Sequence, residues 1–165
     1  MRSMVGLGSL IALLAVLGAG CVSLDDTFEV TPFLHEQITG DSWRACLARD
    51  YQFQTRLILR QGRDWAAASR FSAKGWMVLN EGDAAPWSPA EFDSDGQRVE
   101  LDQARSALAA LLAGKAAAPC PCAQAQAAYD GWLAASVRPG ANVSAAHSGF
   151  TEALATCRQA EASLR

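Results

Sequence analysis

Five cysteines and two histidines are the residues best equipped for chemistry in this 165-residue chain. A metal site can be assembled on paper from Cys120, Cys122, Cys157 and His147, but the spacing resembles no standard zinc-ligand set. Cys120-Pro121-Cys122 is a C-x-C pair that could cycle between dithiol and disulfide, yet no thioredoxin-like strand–helix–strand pattern surrounds it. His35 stands beside Glu36 in a polar stretch, the pattern of an ordinary surface pair. No serine has the local signature of a nucleophile elbow, and no glycine-rich loop follows a strand. Asn142-Val143-Ser144 is a glycosylation sequon in form only. The expectation is therefore a non-enzyme with no catalytic residue, no metal and no cofactor.

Cys21 is different, because of what precedes it. Arg2 and the free amine form a positive start, followed by an apolar run from Val5 to Val16. About a dozen apolar residues suit an export signal, where a spanning helix needs about 20. The run ends in Leu17-Gly18-Ala19-Gly20-Cys21, small residues that an extended chain can thread into a peptidase. The stretch LGAGC resembles the lipobox of bacterial lipoproteins. That resemblance implies cleavage after residue 20, a diacylglyceryl thioether on the Cys21 sulfur and an acylated amine. Two or three acyl chains hold a protein on a bilayer where one is marginal. By resemblance to the enterobacterial sorting rule, Val22 after the cysteine, in place of aspartate, implies the outer rather than the inner membrane, facing the periplasm.

Without residues 1–20 about 145 residues remain, enough for one compact domain. The formal charge of −3 falls by one when Arg2 leaves. That mild acidity argues against nucleic acid and against electrostatic docking on anionic lipid. No second apolar run reaches spanning length. In an exported chain the four remaining cysteines, Cys46, Cys120, Cys122 and Cys157, point to two disulfides with three possible connectivities.

The elements that must position these residues read as helices. Residues 21–30 are expected to be the lipidated cysteine and an acidic tether, and 31–165 the helical domain. Pro32 suits the first position of a short helix ending at Gly40. From Ser42, Trp43, Leu47, Tyr51 and Ile58 share one helical face, with Cys46, Asp50, Phe53 and Leu57 beside it. Asp64 can cap a helix carrying Trp65, Ala68, Phe71, Gly75 and Val78. Ser88-Pro89-Ala90-Glu91 is a capping box. Trp87 lies in that irregular stretch, where an aromatic could serve as a contact residue. Further helices are expected over 97–113, from Pro121 to about Val137, and from Asn142 or Ser144 nearly to the end. The predicted fold is all-α, a small bundle of about four long helices ending in an antiparallel hairpin.

Helical spacing sharpens that hairpin. Cys122, Ala125, Tyr129, Trp132 and Ser136 line one face of its first helix. Val143, His147, Phe150, Leu154 and Cys157 line the second. Folding the chain back at Pro139-Gly140 pairs Trp132 with His147, Tyr129 with Phe150 and Cys122 with Cys157. A Cys122–Cys157 disulfide is predicted, leaving Cys46 for Cys120. The alternative joins Cys120 to Cys157 and Cys46 to Cys122.

Three stretches carry a wider resemblance: AQAQAAYDGWL at 123–133, DYQFQTRLILRQGRDWAAASRFSAKGWMVLNEGDAAPW at 50–87, and AAHSGFTEAL at 145–154. Together they resemble the helical N-terminal region of OmpA-type outer-membrane lipoproteins of Gram-negative bacteria. Family members are expected to carry cysteines where this chain has Gly131 and His147, so Cys122 and Cys157 look like a substitute staple. The family's peptidoglycan-binding residues have no counterparts, and that activity is not carried over. The implied role is structural or protein-binding, through an envelope partner. The alternatives are a periplasmic thiol-redox or metal protein using the C-x-C pair, and a carrier of small hydrophobic molecules in an alanine-lined groove.

Overall fold

The computed structural model describes residues 24–92, 96–113 and 118–164, and the side chains from Val30 onward. The expected export signal, the expected lipidation site Cys21 and the first residues of the expected tether lie outside the described residues. Among the described residues six α-helices and one 3-10 turn follow in order: α1 (Leu24–His35), α2 (Trp43–Gly62), α3 (Trp65–Glu81), the turn (Pro89–Glu91), α4 (Arg98–Leu112), α5 (Pro119–Ser136) and α6 (Val143–Ala162). The all-α expectation holds. Among the described residues five helices have 15 residues or more, one above the expected count. None is long and apolar enough to cross a membrane.

The helix boundaries follow from capping chemistry. The Ser42 hydroxyl accepts from the Ala45 N–H, the Asp64 carboxylate from Ala67, and the Asn142 amide oxygen from Ala145. Each satisfies one of the donors that the first turn of a helix leaves unpaired. Ser88 and Glu91 form the reciprocal capping box read from the sequence, around a single 3-10 turn. The amino-terminal expectation needs correction. α1 begins at Leu24, inside the segment read as a tether, and ends at His35 rather than at Gly40. Pro32 therefore lies inside a helix whose register is held by packing. Phe33 is buried, and Gln52 Nε2 donates to its carbonyl at 2.6 Å. Gly75 on α3 lets α1 come this close, since a Cβ there would stand 2.0 Å from Phe33 Cζ.

α5 is the central helix. Its Cys122, Ala125, Tyr129 and Trp132 face α4 and α6, while Ala123, Ala127 and Ala134 face a second cluster with α1, α2 and α3. A helix buried on opposite sides has no polar face, which is why its sequence is so rich in alanine. α2 runs parallel to α5, tied by Cys46–Cys120 at one end and by Arg138 Nη2 donating to Gln61 Oε1 at 3.0 Å at the other. α6 runs antiparallel to α5, as the hairpin layers predict. Trp132 stacks on His147 at 4.4 Å, Tyr129 meets Phe150 at 5.6 Å, and Cys122 bonds Cys157.

Candidate functional site

Two places gather chemically capable side chains, one inside the bundle and one on its surface. The internal one centres on Asp130, which is fully buried. Its Oδ2 accepts from the Tyr51 hydroxyl at 2.7 Å and from Lys74 Nζ at 2.7 Å. Its Oδ1 accepts the backbone N–H of Trp87 at 2.8 Å. Gln126 Nε2 donates to the Tyr51 oxygen at 3.1 Å and also to the Ala84 carbonyl. Lys74 Nζ lies 4.5 Å above the Trp87 ring and 5.6 Å from that of Tyr51, two aromatic faces that favour a cation.

Burial pushes the Asp130 carboxyl up and the Lys74 ammonium down, and each is pulled back by the other. The Tyr51 hydroxyl is driven up by burial and by the neighbouring Asp130 charge. A buried pair survives only where further hydrogen bonds satisfy its remaining lone pairs and protons. Here the carboxylate has three donors from three separate segments. Lys74 is 5 % exposed, and Tyr51 and Asp130 are fully enclosed, so a substrate has no access to them. The cluster locks α2, α3, α5 and the Trp87 loop together.

Trp87, the possible contact residue, is positioned by the same cluster. It is half-buried, packed on Phe71 at 4.7 Å and Phe92 at 5.3 Å, and its backbone holds Asp130. It anchors the core on this side and keeps part of its surface exposed. The segments FSAKG and YDGW meet at this cluster.

The cysteines and histidines are not brought together. Cys46 bonds Cys120 with alpha carbons 5.0 Å apart, and Cys122 bonds Cys157 at 4.7 Å. The C-x-C pair is thus split, one sulfur tied to α2 and the other to α6. His147 leans on Trp132 and reaches Glu100 Oε1 at 3.6 Å, away from every sulfur of the paper metal set. His35 is exposed, with Nδ1 2.8 Å from the Thr31 carbonyl oxygen. Asp41, Cys46 and Cys120 cluster closely enough to hold an ion, but both sulfurs are in a disulfide and offer no thiolate. Gly131 and His147, the positions of the family's expected cysteines, face different neighbours. Gly131 abuts Gln54 on α2, while His147 stacks on α5 beneath α4.

The surface feature is a groove of about 520 Å³ over α5. It exists because α2 and α6 both pack on α5 but scarcely touch each other. Its floor is Ala127, Ala128, Gly131, Ala134 and Ala135 of α5. Phe53 and Leu57 form the α2 wall, and Ala145, Ala146, Gly149 and Ala153 the α6 wall. Phe53, read from periodicity as lying next to the core, is 60 % exposed here. Arg138, Gln61 and Asn142 gather at one end; Asp50 and Gln124 mark the other. Burial pushes the half-buried Asp50 carboxyl up to about 7, against the pull of Arg49.

Sequence reading missed the internal cluster. Its signal was available, since Gln126 and Asp130 are polar residues one turn apart on a helix whose other residues, Gln124 apart, are apolar, aromatic or small. Comparison with protein-family models, curated proteins and solved structures yields no match for this chain.

Proposed function

We propose that this chain is a lipid-anchored protein of the bacterial cell envelope whose helical domain holds another protein and performs no catalysis. The anchor rests on Leu17-Gly18-Ala19-Gly20-Cys21, with Cys21 carrying the lipid on the periplasmic face of the outer membrane. The observation that carries the binding role is the open groove between α2 and α6. It stands in contrast to Asp130, Lys74 and Tyr51, whose polar groups are spent on one another. The split of Cys120 from Cys122 into two disulfides favours this role over a redox pair.

Membrane partition of the full chain tests the anchor. The wild type is expected in the detergent phase with a mass increment for the acyl groups. Cys21→Ser is expected as an unlipidated form, soluble or uncleaved. A processed Cys21→Ser protein that still partitions with lipid overturns the reading.

A further inference from the structure

Four features of the groove bear on what fills it. The first is length: from Asp50 to Gln61 the α2 wall rises about 16 Å, the length of about 11 helical residues. The second is volume. A core cavity made by removing one leucine side chain measures about 150 Å³, so 520 Å³ takes three or four large apolar side chains. An amphipathic helix of about 11 residues presents that many on one face, at i, i+3, i+4 and i+7.

The third is the floor. Alanine and glycine along α5 and α6 leave the backbone close to the surface, so a guest helix can reach the usual axis separation of about 8–10 Å. With α2, α5 and α6 it would complete a four-helix arrangement.

The fourth is charge. Asp50 and Arg138 stand at opposite ends of the groove. A helix carries about half a positive charge at its N-terminus and half a negative charge at its C-terminus. A single-chain amphiphile fits this worse, because its tail would have to end against one of the two charged groups.

We infer that the groove receives an amphipathic helix of a partner protein, lying parallel to α2 with its N-terminus at Asp50 and its C-terminus at Arg138. This rests on the binding role proposed above and names the occupant and its direction.

Site-specific photocrosslinking in cells, with a benzoylphenylalanine placed in the full chain, tests it. The groove positions are Gln124 at the Asp50 end, Phe53 on the wall and Asn142 at the Arg138 end. Val99 on α4, 73 % exposed, is the control. The expected result is one partner segment. Gln124 should mark its start, Asn142 should mark residues about 11 further along, and Phe53 should mark residues between on the same helical face. Asp50→Lys with Arg138→Glu should cut groove crosslinking by about tenfold or more, because each end of the guest helix then faces a charge of its own sign. Thermal melting of the variant checks that it folds.

A spacing of about 5 residues, which an extended chain would give at about 3.3 Å per residue, overturns the inference. So does a reversed order, a second copy of this chain, a lipid adduct, or a charge-reversed protein that folds and crosslinks as before. Partner crosslinks from Val99 alone sink the groove and leave the binding role standing. Crosslinks from no position sink both.

Discussion

Lys74 and Asp130 lie 56 residues apart in the chain and meet at 2.7 Å inside the protein, under the ring of Trp87. The pair joins α3 to α5, and Tyr51 brings α2 to the same oxygen. Removing one partner strands the other charge in the core, which costs about 3–5 kcal/mol. Lys74→Met and Asp130→Leu are each expected to lower the melting temperature by roughly 10 °C, at about 2–4 °C per kcal/mol for a chain of this size. The double variant should recover part of that loss, since neither charge then remains. Recovery should be incomplete, because the Tyr51 hydroxyl and the Trp87 N–H keep no acceptor. Denaturation of the four proteins in one double-mutant cycle measures this, and strictly additive losses would refute the coupling.

Asp50 gives a pH dependence of definite sign. Its carboxyl is pushed up to about 7 in the folded protein from an ordinary value of 3.8. Between those values the folded state holds more protons than the unfolded one, so stability falls as pH rises from about 4 to about 7. Below the lower value both states are protonated and the effect vanishes. Above the upper value the full penalty applies. Asp50→Asn removes the charge and keeps the size. It is expected to raise the melting temperature by several degrees at pH 8 and to leave it nearly unchanged at pH 4. An equal shift at both pH values would show that the charge is not the cause.

Gly75 and Gly149 both sit inside helices, and their substitutions should differ in sign. At Gly75 a new Cβ would lie 2.0 Å from Phe33 Cζ, so α1 must be displaced from α3. Gly75→Ala is expected to cost on the order of 1–3 kcal/mol, as overpacking does. At Gly149 a Cβ meets nothing within 4 Å. Gly149→Ala should gain up to about 1 kcal/mol from helix propensity. Chemical denaturation of both variants checks the pair, and a loss at Gly149 would contradict it.

The hairpin was legible in the sequence for a physical reason. Two helices joined by a tight turn have few ways to pack, so spacing alone aligned Trp132 with His147 and Cys122 with Cys157. Helix starts were legible because Ser42, Asp64, Ser88 and Asn142 cap locally. Contacts between distant elements were not. Nothing near Leu24 announces that α1 begins there, because Phe33 meeting Gln52 and Gly75 holds it. The burial of Asp130 depends on α5 being packed on opposite sides, which no local pattern announces. The alanines allow a groove in the sequence but do not locate it, since those on α5 and α6 read as a lean core whether or not another helix covers them.

The two disulfides should open at different rates. Cys122 and Cys157 are both fully buried. Cys46 is 3 % exposed, but Cys120 is half-buried at the start of α5 and therefore open to a reductant. Arg49 Nη2 stands 3.4 Å from the Cys46 sulfur, where a guanidinium stabilises a departing thiolate. Attack on Cys120 with Cys46 as the leaving group is thus favoured by access and by charge. Under mild reduction, Cys46 and Cys120 are expected to be alkylated first, with Cys122–Cys157 intact until the fold opens. Arg49→Gln should slow the first step and leave the second unchanged. Loss of the Cys46–Cys120 crosslink, which spans 74 residues, should cost about 2–4 kcal/mol without releasing the hairpin. Mass mapping of alkylated peptides over a reduction time course reads the order, and simultaneous opening of both bonds would refute it.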